Sequence, residues 1–145
     1  MPITASTMIH SRHISYPCGK RFIATRNAPY DLVVGGGSES VEDLIAAVDR
    51  GIYVATFNYC RILDPKTQVV TGLTRNGTFM IENGKITGAL TGLRFTQSFV
   101  AALGDGNLLG LGDDTRYADS EFGAGFVRAP SMRLASWHFT GGTEG

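Results

Sequence analysis

Val69-Val-Thr-Gly-Leu-Thr-Arg-Asn-Gly-Thr-Phe-Met-Ile-Glu-Asn-Gly-Lys-Ile-Thr-Gly-Ala-Leu-Thr-Gly-Leu-Arg-Phe-Thr-Gln-Ser-Phe99 is the stretch whose reading decides the fold. It holds two Asn-Gly pairs, Asn76-Gly77 and Asn83-Gly84, each between β-prone segments. Asn-Gly supplies the two positive-φ positions of a tight hairpin turn, so the stretch predicts a β-meander. A two-residue turn at Asn83-Gly84 sets Glu82 opposite Lys85, Ile81 opposite Ile86, Met80 opposite Thr87 and Phe79 opposite Gly88. Side chains alternate along a strand, which assigns Phe79, Ile81, Ile86 and Leu90 to one apolar face and leaves Glu82 and Lys85 as a charge pair at the turn.

Working outward, the preceding segment Ile52 to Leu63 is rich in β-branched and aromatic residues and reads as one long strand, ended by the Asp64-Pro65 turn. Before it, Asp31 to Val34 is a short apolar strand stopped by Gly35-Gly36-Gly37. A helix then spans Val41 to Arg50, with Ser40 as N-cap, Glu42 and Asp43 in the first turn, an apolar stripe of Val41, Leu44, Ile45 and Val48, and Gly51 just past its end. After the meander, Thr96 is placed to cap a short helix, Phe99 to Leu103, closed by Gly104, with Phe99, Val100 and Leu103 as its packing stripe. Gly104 to Gly125 reads as a long irregular loop containing one strand, Leu108 to Leu111. The last strand, Met132 to Phe139, begins after Pro130 and puts Trp137 and Phe139 on one face. Residues 1–30 show weak periodicity, proline breaks at Pro17 and Pro29 and one possible strand, Arg21 to Thr25, and read as an N-terminal arm or truncated lead-in to a domain over 31–145.

The chain has 145 residues, 43% hydrophobic and 18% charged, with zero formal net charge. That composition suits one domain with its own core and gives no electrostatic footprint for nucleic acid or an acidic membrane. Two cysteines are too few for a disulfide scaffold. No leader pattern opens the chain and no apolar run approaches the ~20 residues that span a bilayer, so a cytoplasmic location is expected.

Candidate chemistry is sparse. His10 and His13 with Cys18 carry the atoms of a transition-metal site, but without helical pattern or an intervening glutamate. Asp113, Asp114, Asp119 and Glu121 are available as paired carboxylates or hard-cation ligands, yet in no calcium-loop order; a solvated acidic loop is the preferred reading. Gly35-Gly36-Gly37-Ser38 departs from both the dinucleotide fingerprint and the P-loop, which favours a plain turn over anion binding. Cys60, inside an apolar strand, reads as a small buried hydrophobe, and His138 as a strand residue. Ser38, Ser98 and Ser131 have no nucleophile-elbow pattern around them. No catalytic, cofactor-binding or metal residue is assigned.

From about Leu32 to Gly142 the chain resembles the C-terminal domain of the TldD/PmbA family. The resemblance rests on Ser40-Val-Glu-Asp-Leu-Ile45, Gly51-Ile-Tyr-Val54, Thr71-Gly72, Gly77-Thr-Phe-Met-Ile-Glu-Asn-Gly-Lys-Ile86, the Phe99 to Leu103 segment, Ala129-Pro-Ser-Met-Arg-Leu134 and Phe139-Thr-Gly-Gly142. It implies a role in a two-protein zinc metallopeptidase that trims or matures peptides, once described through effects on DNA gyrase. In TldD-like members the zinc is held by His-Glu-x-x-x-His on a helix before this domain and by a cysteine near the C-terminus, with the glutamate activating water. This sequence has no His-Glu-x-x-x-His and no cysteine near its closing strand.

The resemblance therefore implies a TldE-like or truncated member whose zinc belongs to a catalytic partner or an N-terminal domain, with homo- or hetero-oligomers expected and a peptide as a further partner. The surface such a domain would cover is expected to be apolar. An active metallopeptidase in its own right, built on His10, His13 and Cys18, and a free-standing ligand-binding domain are the alternatives. The fold expected is α+β, a mixed, mostly antiparallel twisted sheet with two short helices packed on it; the pattern alone also admits a β-sandwich or partial barrel.

Overall fold

A computed structural model of the protein describes residues 3–9, 32–117 and 127–142. The strands are β1 (Ile3–Ile9), β2 (Leu32–Val33), β3 (Arg50–Val54), β4 (Phe57–Asp64), β5 (Val69–Thr74), β6 (Thr78–Glu82), β7 (Lys85–Ala89), β8 (Leu93–Ser98), β9 (Leu108–Leu111), β10 (Arg116–Tyr117), β11 (Val127–Ala129) and β12 (Met132–Gly142). The helices are α1 (Val41–Ala46) and α2 (Phe99–Ala102). Among the described residues, nine strands form one sheet in the order β4-β5-β8-β12-β1-β3-β6-β7, with β9 also on β12. All its pairings are antiparallel except β1 with β3. A small second sheet has the order β10-β11-β2. The class is α+β, as expected.

The hairpin at Asn83-Gly84 forms, and the meander around it does not. Glu82 pairs Lys85 and Ile81 pairs Ile86, but Met80 then pairs Gly88 and Phe79 pairs Ala89. Thr87 is the extra residue of a bulge, and its hydroxyl donates to the Glu82 carboxylate at 3.2 Å, so the register beyond it slips by one. The second pair, Asn76-Gly77, joins strands that do not pair with each other: β5 lies between β4 and β8, whereas β6 lies between β3 and β7.

The long strand expected over Ile52 to Leu63 is likewise two strands, broken at Ala55-Thr56. The two breaks answer each other. Ala55 N–H donates to Gly77 O at 2.9 Å and Arg75 N–H to Thr56 O at 3.0 Å, so both connections cross side by side between distant parts of the sheet. Gly77 is required there, with φ +118° and a position at which an added Cβ would lie 2.8 Å from the Ala55 Cβ.

A strand also stands where weak periodicity predicts none. Ile3–Ile9 is inserted in the middle of the sheet, paired with β12 on one side and β3 on the other. Backbone hydrogen bonding along both edges holds it, which an amphipathic pattern search does not detect. The possible strand Arg21 to Thr25 lies outside the described residues.

The core is divided by β3. Ile52 and Val54 face the larger cluster with Phe57, Val70, Phe95, Met132, Leu134, Trp137 and Phe139, while Tyr53 faces a smaller one in which Leu44 and Val48 pack on Ile81. The first helix is shorter than its stripe. It stops at the Ala47 C-cap, Val48 N–H turns back to Ile45 O, and Gly51 belongs to β3 rather than to a helix end. Ser40 caps it as expected, in a reciprocal box with Asp43. In the second helix the cap is Ser98, not Thr96, and Ala102 is the buried residue; Val100 and Leu103 are exposed. Ile86 also departs from expectation. It shares a face with buried Ile81, but β7 is the last strand of the sheet and leaves it 46% exposed.

Along β12 the buried residues shift phase, from Met132 and Leu134 to Trp137 and Phe139. The register of β12 shifts in that interval, and Asn107 fills the gap between its two partners on that side, β9 and β8. The Asn107 amide donates to Ala102 O and Ser136 O and accepts from Ser136 N–H and Oγ, at 2.8 to 3.2 Å. One side chain thus ties the end of α2 to the irregular point of the longest strand.

The β4–β5 turn contains a titrating group. Asp64 accepts from the Thr67 hydroxyl at 2.6 Å and from Lys66 N–H at 3.0 Å, and these bonds, the hydroxyl first, hold its carboxyl below the ordinary 3.8. Because the folded value is the depressed one, the turn is fully supported above the unfolded pKa and loses that support as pH falls through the folded one. Thr67→Val is expected to move the Asp64 titration back towards 3.8 in an NMR pH series; an unmoved titration would refute the assignment to Thr67.

Candidate functional site

The crossing of the two connections makes a groove of about 500 Å³, lined by Leu73–Thr78 and Leu90–Gly92. Its floor is fixed by Leu90 N–H donating to Thr78 O (2.8 Å) and Leu93 N–H donating to the Thr74 hydroxyl (2.9 Å). Thr78 is 4% exposed, and its Oγ1 has no hydrogen-bond partner among the described residues. Arg75 and Asn76 are exposed at the lip. Sequence reasoning assigned these residues to a hairpin and so missed the groove; the signal lay in a second turn pair whose flanking strands had other partners to choose.

Among the described residues with candidate chemistry, Asp114 and Ser131 meet. Asp114 is structural: its Oδ1 accepts from Ser131 N–H, and its Oδ2 from Ser131 Oγ and Arg116 Nη2, each at 2.8 Å. Asp113 is exposed, and its N–H donates to Glu39 O. Asp119 and Glu121 lie outside the described residues, as do His10, His13 and Cys18. Cys60 is half-buried against the main core, close enough to Gly72 that a Cβ there would meet its Sγ at 2.9 Å. His138 is exposed, its Nδ1 3.2 Å from Thr96 O. Ser98 is a cap, Ser131 is held by Asp114, and Ser38 sits in an exposed bend.

The glycine turn is a packing device. Gly37 N–H donates to Gly112 O at 2.9 Å, and a Cβ on Gly37 would overlap the Leu111 carbonyl. That amide is therefore not available to an anion, and the start of α1 is closed by the Ser40–Asp43 box.

Among the described residues no three His, Cys, Asp or Glu side chains are grouped to hold a metal, and the sequence lacks His-Glu-x-x-x-His. Among the described residues, no helix is long and apolar enough to cross a membrane.

Comparison with curated proteins gives no match. Among solved structures, the chain is similar to TldE from Thermococcus kodakarensis, with 18% identity and a TM-score of 0.57 over 75% of this chain and 23% of that one. It is also similar to a putative modulator of DNA gyrase from Bacteroides thetaiotaomicron, with 27% identity and a TM-score of 0.60 over 75% of this chain and 22% of that one. A third, a putative modulator of a DNA gyrase from Thermotoga maritima, gives 16% identity and a TM-score of 0.59 over 74% of this chain and 23% of that one. At 16% and 18% identity the likeness shows the fold alone. The chain spans under a quarter of the length of these proteins. The family model described as the PmbA/TldA metallopeptidase C-terminal domain matches residues 16–141. This chain belongs to the TldD/PmbA family and matches its C-terminal domain.

Proposed function

We propose that this chain serves a TldD/PmbA-type peptide-processing system as a non-catalytic C-terminal domain, by associating with a catalytic partner or an N-terminal domain that carries the zinc. The observation that carries the reading is the outer edge of β7. Among the described residues that strand is paired on one side only, to β6; all five of its residues are exposed, and Ile86, its second residue, stands 46% exposed. An unpaired edge with an apolar side chain is a template for another chain, whether a subunit or an extended peptide.

The test is size-exclusion co-elution of this chain with a TldD-like protein that contains His-Glu-x-x-x-His. The complex is expected to form with the wild-type chain. Ile86→Lys is expected to weaken it at least about tenfold, because an unpaired ammonium buried in an interface costs more than the ~1.4 kcal/mol of one decade. Its urea midpoint should stay unchanged. Failure of the wild-type chain to bind would overturn the association; binding untouched by Ile86→Lys would overturn the role of β7 alone.

A further inference from the structure

The two Asn-Gly pairs are chemically alike and structurally unlike. Asn76 and Asn83 are both exposed, with φ of +52° and +49°, and each precedes a glycine of positive φ. What differs is the glycine nitrogen. Gly84 N–H donates to Val48 O at 2.9 Å and Asn83 N–H to Asp49 O at 2.6 Å, and the turn is pressed on the end of α1 so closely that a Cβ on Gly84 would lie 2.7 Å from Ala46 O. Gly77 is held through its carbonyl, which accepts from Ala55, while its N–H has no partner among the described residues. The Asn76 side chain has none either.

We propose that Asn76 is a site of spontaneous deamidation in the folded protein, and that Asn83 is protected from the same reaction by its docking on α1. Hydroxide removes the Gly77 amide proton, and the nitrogen attacks Cγ of Asn76. The Cγ–Nδ2 bond breaks and ammonia leaves with a proton from water. Water then opens the cyclic imide at either carbonyl, giving aspartate or isoaspartate, with nothing oxidised or reduced. At Gly84 the same nitrogen must first leave the Val48 carbonyl, at the cost of a buried acceptor left unmet.

The product matters because of where Asn76 sits. A carboxylate appears beside Arg75 on the lip of the groove. The isoaspartyl form also adds a backbone carbon between the Arg75–Thr56 and Gly77–Ala55 hydrogen bonds that align the crossing.

The experiment is timed incubation of the purified chain at mildly alkaline pH, followed by peptide mapping with separation of aspartyl from isoaspartyl products. Cleavage after Arg75, Glu82 and Lys85 puts the two asparagines on different peptides. In the folded chain Asn76 is expected to convert about tenfold faster than Asn83, the factor expected for one protecting hydrogen bond. In urea the two rates should converge. Asn83 converting as fast as Asn76 in the folded chain would overturn the proposal. So would a rate difference that persists in urea, or an unchanged Asn76 after a time in which the unfolded chain has converted.

Discussion

Trp137→Ala is expected to lower the unfolding free energy by about 3–5 kcal/mol. Trp137 is 1% exposed and packs on three rings, with centroids at 5.3 Å for Phe95, 5.4 Å for Phe57 and 6.0 Å for Phe99. Those rings come from β8, β4 and α2, so one indole joins two strands and a helix to β12. No single neighbour can collapse into the space it leaves, and the cavity cost therefore adds in full to the lost burial. The indole Nε1 has no hydrogen-bond partner among the described residues. Trp137→Phe removes that unmet donor while keeping most of the ring volume, so it should cost well under half as much as the alanine. Urea unfolding reads both, as a shift in midpoint at constant slope. An alanine variant within about 1 kcal/mol of wild type would show that the aromatic cluster does not hold the sheet together.

The same indole shows what is legible in the sequence. Near the end of β12 the alternation that puts Trp137 and Phe139 on one face is local, and both residues are buried as that pattern predicts. The phase change after Leu134 is not legible, because it depends on Asn107, which is distant in sequence. Asn-Gly reports turn geometry, which is also local. It specifies Asn83-Gly84 correctly and says nothing about whether β5 takes β6 or β8 as its neighbour. Pairing choice is a competition among strands over long sequence separations, and no window of residues contains it. Helix ends suffer from a related ambiguity. Gly51 has the position of a C-cap, but Arg50 and Gly51 gain a full ladder with β6, and that outweighs one more helical turn. Ile86 is assigned to the core by alternation alone; alternation gives the face, and only the position of β7 at the end of the sheet decides that the face is bare there.

The candidate site is less legible than the fold for a physical reason. Single residues such as Asp114 or Cys60 have the chemistry of sites, and whether they act depends on what surrounds them. Asp114 finds a backbone N–H, a hydroxyl and a guanidinium, a set that engages both its oxygens in structure. The groove, by contrast, is made by residues of ordinary chemistry that two crossing connections bring together.

Asp114→Ala is the second large loss expected, about 3 kcal/mol, because Ser131 is fully buried and loses at once the carboxylate that accepts from both its N–H and its hydroxyl. Arg116, 39% exposed, can turn to water and contributes less to the penalty. The graded series is the informative part. Asp114→Asn retains an oxygen for Ser131 N–H, and the Ser131 hydroxyl can rotate to accept from the new amide, so it should cost about half as much as the alanine. Ser131→Ala deletes one donor of the set and should cost about 1 kcal/mol. The loss is also expected to be local before it is global. Ser131 sits where β11 passes into β12 and Asp114 on the connection from β9 to β10, and Gly112 N–H donates to Ser131 O at 2.8 Å, so the carboxylate joins the small β10-β11-β2 sheet to the large one. In hydrogen exchange, the amides of β10 and β11 should lose protection in Asp114→Ala at denaturant concentrations that leave β5 and β8 protected. Uniform loss across both sheets would mean that the joint carries global stability instead, and no loss in either would mean that water replaces the carboxylate without cost.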